Sequence, residues 1–305
     1  MANDAITWAD LLEIYQNSVW VDDHIADLTI VSGGIARTLK LVETSDRAYH
    51  EADISLQDDK TQLTVGSVVE VRIGSPHRSL GLLVKDWDAL LASSVSRMRE
   101  PSTFYIRSDQ THNATLPPTD TLLRYRSTMK LVMLLSESAL FADQQQAKLV
   151  YFADARTEVP VKFTAKDLRS IDTAQVDLLE KALEGEFHAE QRLGILADAV
   201  VELVSSQSAV GRFHYLMQNV DELVSWVNDG YRLFASSFSY SKIRGELEKT
   251  QSEYVGRIHK TFSDIQGQLL GLPVASAPTV CGPELLANVA VVCGACLFAA
   301  LLITS

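Results

Sequence analysis

Four small groups of side chains are spaced so that they could do chemistry. Asp22, Asp23 and His24 stand together before a β-like stretch, offering two carboxylates and an imidazole to a metal ion or to proton transfer. The same triplet also reads as an ordinary solvated turn. Arg107 and His112 have four residues between them, the spacing used by a class of helical ribonucleases that carry both side chains on one helix face. Here they flank SDQT in a polar stretch running into Pro117-Pro118, which reads as a loop. Asp53, Glu70 and Arg72 fall on expected adjacent strands, as in some metal nucleases, but the Lys that such sites place after the second acid is missing. Tyr105, Arg107, Tyr125 and Arg126 bring rings and guanidinium groups around one loop, a set that stacks on nucleotides in some proteins and forms an aromatic core edge in more of them. None of these residues is assigned a catalytic, cofactor-binding or metal role, and no cofactor is expected.

Motifs with fixed geometry are missing. Gly33-Gly34 lacks the Lys of a phosphate loop, no serine sits in a nucleophile elbow, and the seven histidines are scattered at 24, 50, 77, 112, 188, 214 and 259. Only a site assembled from residues distant in sequence escapes such a search. The net charge of −12 argues against direct nucleic-acid binding, because no run of Lys and Arg supplies a basic footprint. All three cysteines, Cys281, Cys293 and Cys296, lie near the C-terminus, so the rest of the chain carries no disulfide framework. A zinc or redox role for Cys293 and Cys296 is disfavoured, since no second ligand pair lies nearby.

The elements that must position these groups divide into two kinds. Residues 6–18 carry Ile6, Leu11, Leu12, Ile14 and Tyr15 on a helical stripe, with Thr7 as a cap before Asp10. Residues 26–73 read as a meander of four or five strands, including ARTLKLVET and YHEADISLQ. Then come a short strand at 80–84, a helix at 86–98, a strand at 103–106, a loop at 108–119 and a helix at 120–141. KLVYF (148–152) and VPVKF (159–163) form a hairpin. After 164 only helices are expected, at 173–184, 187–206, 210–236 and 239–272, with a break at Ser236 to Ser239. The expected class is therefore an α+β N-terminal domain, followed by an all-α helical region with a long stalk helix and a C-terminal transmembrane segment. The domains are 1–163 for sensing or partner binding, 164–238 helical, 239–268 stalk and 269–305 membrane.

Along the stalk, Ile243, Leu247, Tyr254, Ile258, Phe262, Ile265 and Leu269 recur at spacings of 3, 4 or 7, flanked by Glu246, Lys249, Glu253, Arg257 and Lys260. Such a seam either packs on the preceding two helices or associates with another copy. Residues 285–303 carry no charge over 19 positions, enough for a helix of roughly 28 Å that would cross a bilayer. Residues 269–281, broken by Pro273 and Pro278, make either a second leg of a membrane hairpin or a surface loop. The N-terminus has acids in place of a basic n-region and is not a secretory signal. Arg257 and Lys260 before the apolar run place the body in the cytoplasm by the positive-inside preference, with the chain at the bacterial inner membrane.

KLVYF–VPVKF, and above all FASSFSYSKIRGELEKTQSEYVGRIHKTFSDIQGQLLGLPVA over 234–275, resemble a group of bacterial proteins that are often encoded among antiviral defence genes and end in a short membrane hairpin. The likeness spans residues 147–303 and carries over no functional residue. It implies a membrane-linked component of an antiphage system that works beside a separately encoded nuclease, Argonaute-like protein or other sensor. The apolar tail, the seam and the lack of a catalytic motif add the expectation of a non-enzymatic effector or accessory subunit that perturbs the membrane through oligomerisation, with the lipid bilayer and further copies of the chain as partners. The rival expectations are a membrane-tethered, nuclease-like enzyme with a site in residues 20–110 and a plain adaptor that recruits a partner.

Overall fold

The computed structural model describes residues 5–57, 62–152, 155–185 and 188–270. Helix α1 (Trp8–Gln16) starts at a capping box: Asp10 N–H donates to the Thr7 hydroxyl, and Thr7 N–H donates back to the Asp10 carboxylate at 3.0 Å. Strands β1 (Ser18–Trp20) and β2 (Ile25–Thr29) make a hairpin. The next stretch departs from the expected meander. ARTLKLVET lies in helix α2 (Gly33–Thr44), and YHEA lies in helix α3 (Asp46–Ala52). Two local causes outweigh the β-branched residues there. Ser32 caps α2 by accepting from Gly34 and Ile35 N–H, and Ile35, Leu39 and Val42 recur at helical spacing and are buried together.

Strands β3 (Ile54–Leu56) and β4 (Val68–Ile73) complete a four-stranded antiparallel sheet of order β1-β2-β4-β3. Its inner face packs Ala26, Leu28, Val69, Val71 and Ile73 against α1 and α2 in the first of two cores.

The second core begins after β5 (Leu82–Val84). Residues expected to form one helix split into α4 (Trp87–Leu91) and α5 (Ser94–Met98). Strand β6 (Phe104–Ile106) runs parallel to β5, and β7 (Thr111–His112), inside the expected loop, pairs antiparallel to β6. The buried face of α6 (Asp120–Ser138) carries Leu122, Tyr125, Leu131, Val132 and Leu135. The expected hairpin is present as β9 (Lys148–Phe152) with β10 (Arg156–Pro160), preceded by β8 (Phe141–Asp143) on the other edge of β9.

Helices α7 (Thr173–Leu183), α8 (Ala189–Leu203) and α9 (Arg212–Gln218) follow, then α10 (Val220–Leu270). The core shared by α6, β9 and α7–α9 runs through Phe163, which packs on Phe213 with ring centroids 5.5 Å apart. By contact density the chain divides into residues 1–236 and 237–305. The expected break at Ser236 to Ser239 does not occur: the backbone stays helical, and the Ser236 hydroxyl donates to the carbonyl of Leu233 at 2.8 Å, satisfying itself inside the helix.

The membrane part of the expected architecture is corrected. Among the described residues no helix is long and apolar enough to cross a membrane. The two helices of sufficient length, α6 and α10, both carry charges, in α10 at intervals of no more than four residues over 242–264, and each would have to be desolvated in lipid. A transmembrane class and an inner-membrane location are therefore unsupported. Residues 271–305, with the apolar run 285–303 and the three cysteines, lie outside the described residues.

Candidate functional site

Each group singled out in sequence has a definite place. Asp22 closes the β1–β2 hairpin, its carboxylate accepting from the N–H groups of His24 at 2.7 Å and Ile25 at 2.6 Å. Those bonds hold its carboxyl below the usual carboxylate range. Asp23 pairs with Lys85 at 3.0 Å and Arg107 at 3.4 Å, and Lys85 is the main cause of its own lowered pKa. Arg107 also donates to the Asp23 carbonyl and lies 4.3 Å over the Trp20 ring. These residues pin the hairpin tip to the segment after β6. His112 sits on β7 beside Gln16; it shares no helix face with Arg107.

Asp53 adopts a left-handed conformation as the cap of α3 and pairs with Arg72 at 3.2 Å, while Glu70 lies opposite Asp27 on β2. Among the described residues no group of three His, Cys, Asp or Glu side chains could hold a metal ion. The aromatic set is divided between the two cores. Tyr105 donates to the Tyr15 carbonyl and its pKa is pushed up to about 12 by burial, with the Asp109 charge adding to it. Tyr125 donates to the Ser96 carbonyl in the other core, and Arg126 is engaged by Glu100 and by the carbonyl of Asn113. No stacking platform results.

His112 carries a testable electrostatic consequence. Burial lowers its pKa, and its Nδ1 accepts the N–H of Ala114 at 3.2 Å, a bond that protonation of Nδ1 would break. A histidine held below its unfolded value of about 6.5 stabilises the fold fully above that pH and loses the contribution as pH falls toward the folded pKa. Thermal unfolding midpoints measured from pH 7 to 5 are expected to fall less steeply in His112→Gln than in the parent chain.

The described residues also form two clefts with charged linings and one exposed helix face. A cleft of about 850 Å³ includes Arg78, Arg99, Ser93 and Ser102 on its lining. A second, of about 660 Å³, holds Asp167 and His214 with Arg97 and Lys162. There Asp167 accepts from Thr164 N–H at 2.8 Å and lies 3.3 Å from His214 Nδ1. This pair, formed by residues 47 positions apart, is the distant kind of assembly that no local motif reveals. Arg97 donates to the carbonyls of Leu91 and Ala92 at the end of α4, and Lys162 is exposed. No aligned nucleophile accompanies the pair, so no reaction step is derived from it.

The helix face is the larger feature. On α10, Tyr240, Ile243, Leu247, Tyr254, Val255, Ile258, Phe262 and Ile265 are each between 46% and 71% exposed. At about 100° per residue they occupy one sector roughly 120° wide. Lys242, Glu246, Lys249, Glu253, Arg257, Lys260 and Asp264 lie about 100° to 180° around the helix from the centre of that sector and make no ion pair among the described residues. Arg244 falls within the sector and pairs with Glu248 at 2.8 Å within the helix.

In comparisons with known proteins, no family model, curated protein or solved structure matches this chain. The described fold defines an α+β protein continued by helices, and its function has to be argued from its own surface.

Proposed function

We propose that this chain is a non-enzymatic assembly subunit of a bacterial antiviral defence system, and that the exposed seam on α10 is its working surface. The observation that carries the reading is the seam itself. Eight large apolar side chains exposed on one face of a long helix have the composition of an interhelical contact surface. The defence setting comes from the resemblance of residues 147–303 to proteins encoded beside antiviral genes. In that setting, residues 1–236 receive the signal of a separately encoded sensor and the seam passes it on through association.

The experiment is a phage challenge of cells expressing the full chain with its neighbouring genes, comparing the parent with Ile258→Glu. The variant lies on an exposed helical surface, so its abundance and far-UV spectrum are expected to match the parent while protection drops at least tenfold in plaque counts. Protection at the parental level, with the variant protein equally abundant, overturns the reading.

A further inference from the structure

We propose that the cleft beside β5 binds a small organic anion, its phosphate or carboxylate group held by Arg78 and Arg99 and its apolar body lying on Leu82 and Val84. The site lies within residues 1–236 and is independent of the α10 seam.

Its floor is a piece of sheet left uncovered. β5 is an outer strand of the sheet β5-β6-β7 and pairs with β6. In that parallel register Leu82 stands beside Phe104 and Val84 beside Ile106, so all four side chains share one face of the sheet. Phe104 and Ile106 are sealed in the second core, whereas Leu82 and Val84 are only half-buried. Helices α4 and α5, of five residues each, supply Leu90 and Val95 to the lining. Leu90 is buried but Val95 is 61% exposed, so the apolar lining opens to solvent on the α5 side. The resulting cleft of about 850 Å³ lies within the roughly 300–1,000 Å³ of small-molecule sites.

The polar part of the lining is dominated by donors. Arg78, Arg99, Ser93 and Ser102 contribute two guanidinium groups and two hydroxyls, and none of these side chains makes a hydrogen bond or ion pair among the described residues. Glu100 is the acid on the lining, and its carboxylate is already engaged by Arg126, with Nε at 3.2 Å and a terminal nitrogen at 3.0 Å. Most other arginines of residues 1–236 meet a carboxylate or a carbonyl, as Arg72, Arg107 and Arg124 do. Two arginines without an acceptor in one cleft stand out in a chain with 39 Asp and Glu against 27 Lys and Arg. A guanidinium offers its N–H groups as a fork that matches two oxygens of a phosphate or a carboxylate. The half-buried floor beside that charge suits a ring or a short chain attached to the anion.

Isothermal titration calorimetry of the full chain with naphthyl phosphate and with naphthoate tests the site and distinguishes the two anionic groups. At least one of the two is expected to bind once per chain. Naphthol and inorganic phosphate, each carrying half of what the cleft recognises, are expected to bind at least tenfold more weakly than the tighter naphthyl anion. Arg78→Gln and Arg99→Gln are each expected to weaken that anion at least fivefold. Both guanidinium groups are at the surface, so the far-UV spectra of the variants are expected to match the parent. Val95→Trp, which fills the cleft from α5, is expected to abolish binding. Failure of both naphthyl anions to bind the parent overturns the proposal. Binding that survives in all three variants overturns it as well, because the anion then sits elsewhere on the chain.

Discussion

Leu247→Glu is expected to weaken self-association through the α10 seam at least about thirtyfold. Leu247 is 64% exposed in the middle of that seam. The replacement removes the burial of a leucine on association, about 2 kcal/mol, and places a carboxylate where water is excluded, which adds to the loss. Every 1.4 kcal/mol is a factor of ten. Sedimentation equilibrium of the full chain over a range of concentrations measures the change directly. The control is Ser263→Glu, on the opposite face of the same helix; it adds the same charge and is expected to leave the constant within about threefold. A control as damaging as Leu247→Glu would mean that net charge, and not the seam, governs association.

Tyr125→Ala is expected to destabilise residues 1–236 by about 3–5 kcal/mol, the usual range for deleting a buried aromatic ring. Tyr125 has no exposed surface and lies against Trp87 at 5.5 Å and Phe104 at 6.5 Å between ring centroids. Its hydroxyl donates to the Ser96 carbonyl at 2.8 Å. The alanine removes ring contacts on two sides and leaves that carbonyl without its donor. Tyr125→Phe separates the two effects: the ring stays, only the hydrogen bond goes, and the loss is expected near 1 kcal/mol. Urea unfolding of the parent and both variants gives the two numbers. Equal losses in both variants would show that the hydrogen bond, and not the ring packing, dominates.

How far the sequence carries can be judged element by element. The α1 capping box, the β9–β10 hairpin and the α6 stripe are local: each is written in residues less than one element apart, and each is present. ARTLKLVET was harder. Its β-branched residues favour a strand, and its helical state depends on Ser32 upstream and on burial of Ile35, Leu39 and Val42 against other elements. A continuous α10 was hidden by its serines, whose breaking tendency disappears when a hydroxyl bonds back into the helix. The candidate chemistry failed for a geometric reason. Tyr105 and Tyr125 are near in sequence to the same loop, yet their rings belong to different cores, and no spacing rule tells which core a strand residue or a helix residue will face.

From sequence alone came the α+β-then-helical order, the absence of local catalytic motifs and the apolar seam, because all of these are patterns of residue type along a single element. Tertiary structure decided what those patterns mean. It spent Asp22, Asp23 and Arg107 on pinning a hairpin, joined Asp167 to His214 across 47 residues, and left the seam side chains of α10 exposed among the described residues. Whether an apolar face is core or contact surface depends on what is brought against it, and that is a property of the packed molecule and not of the residue pattern.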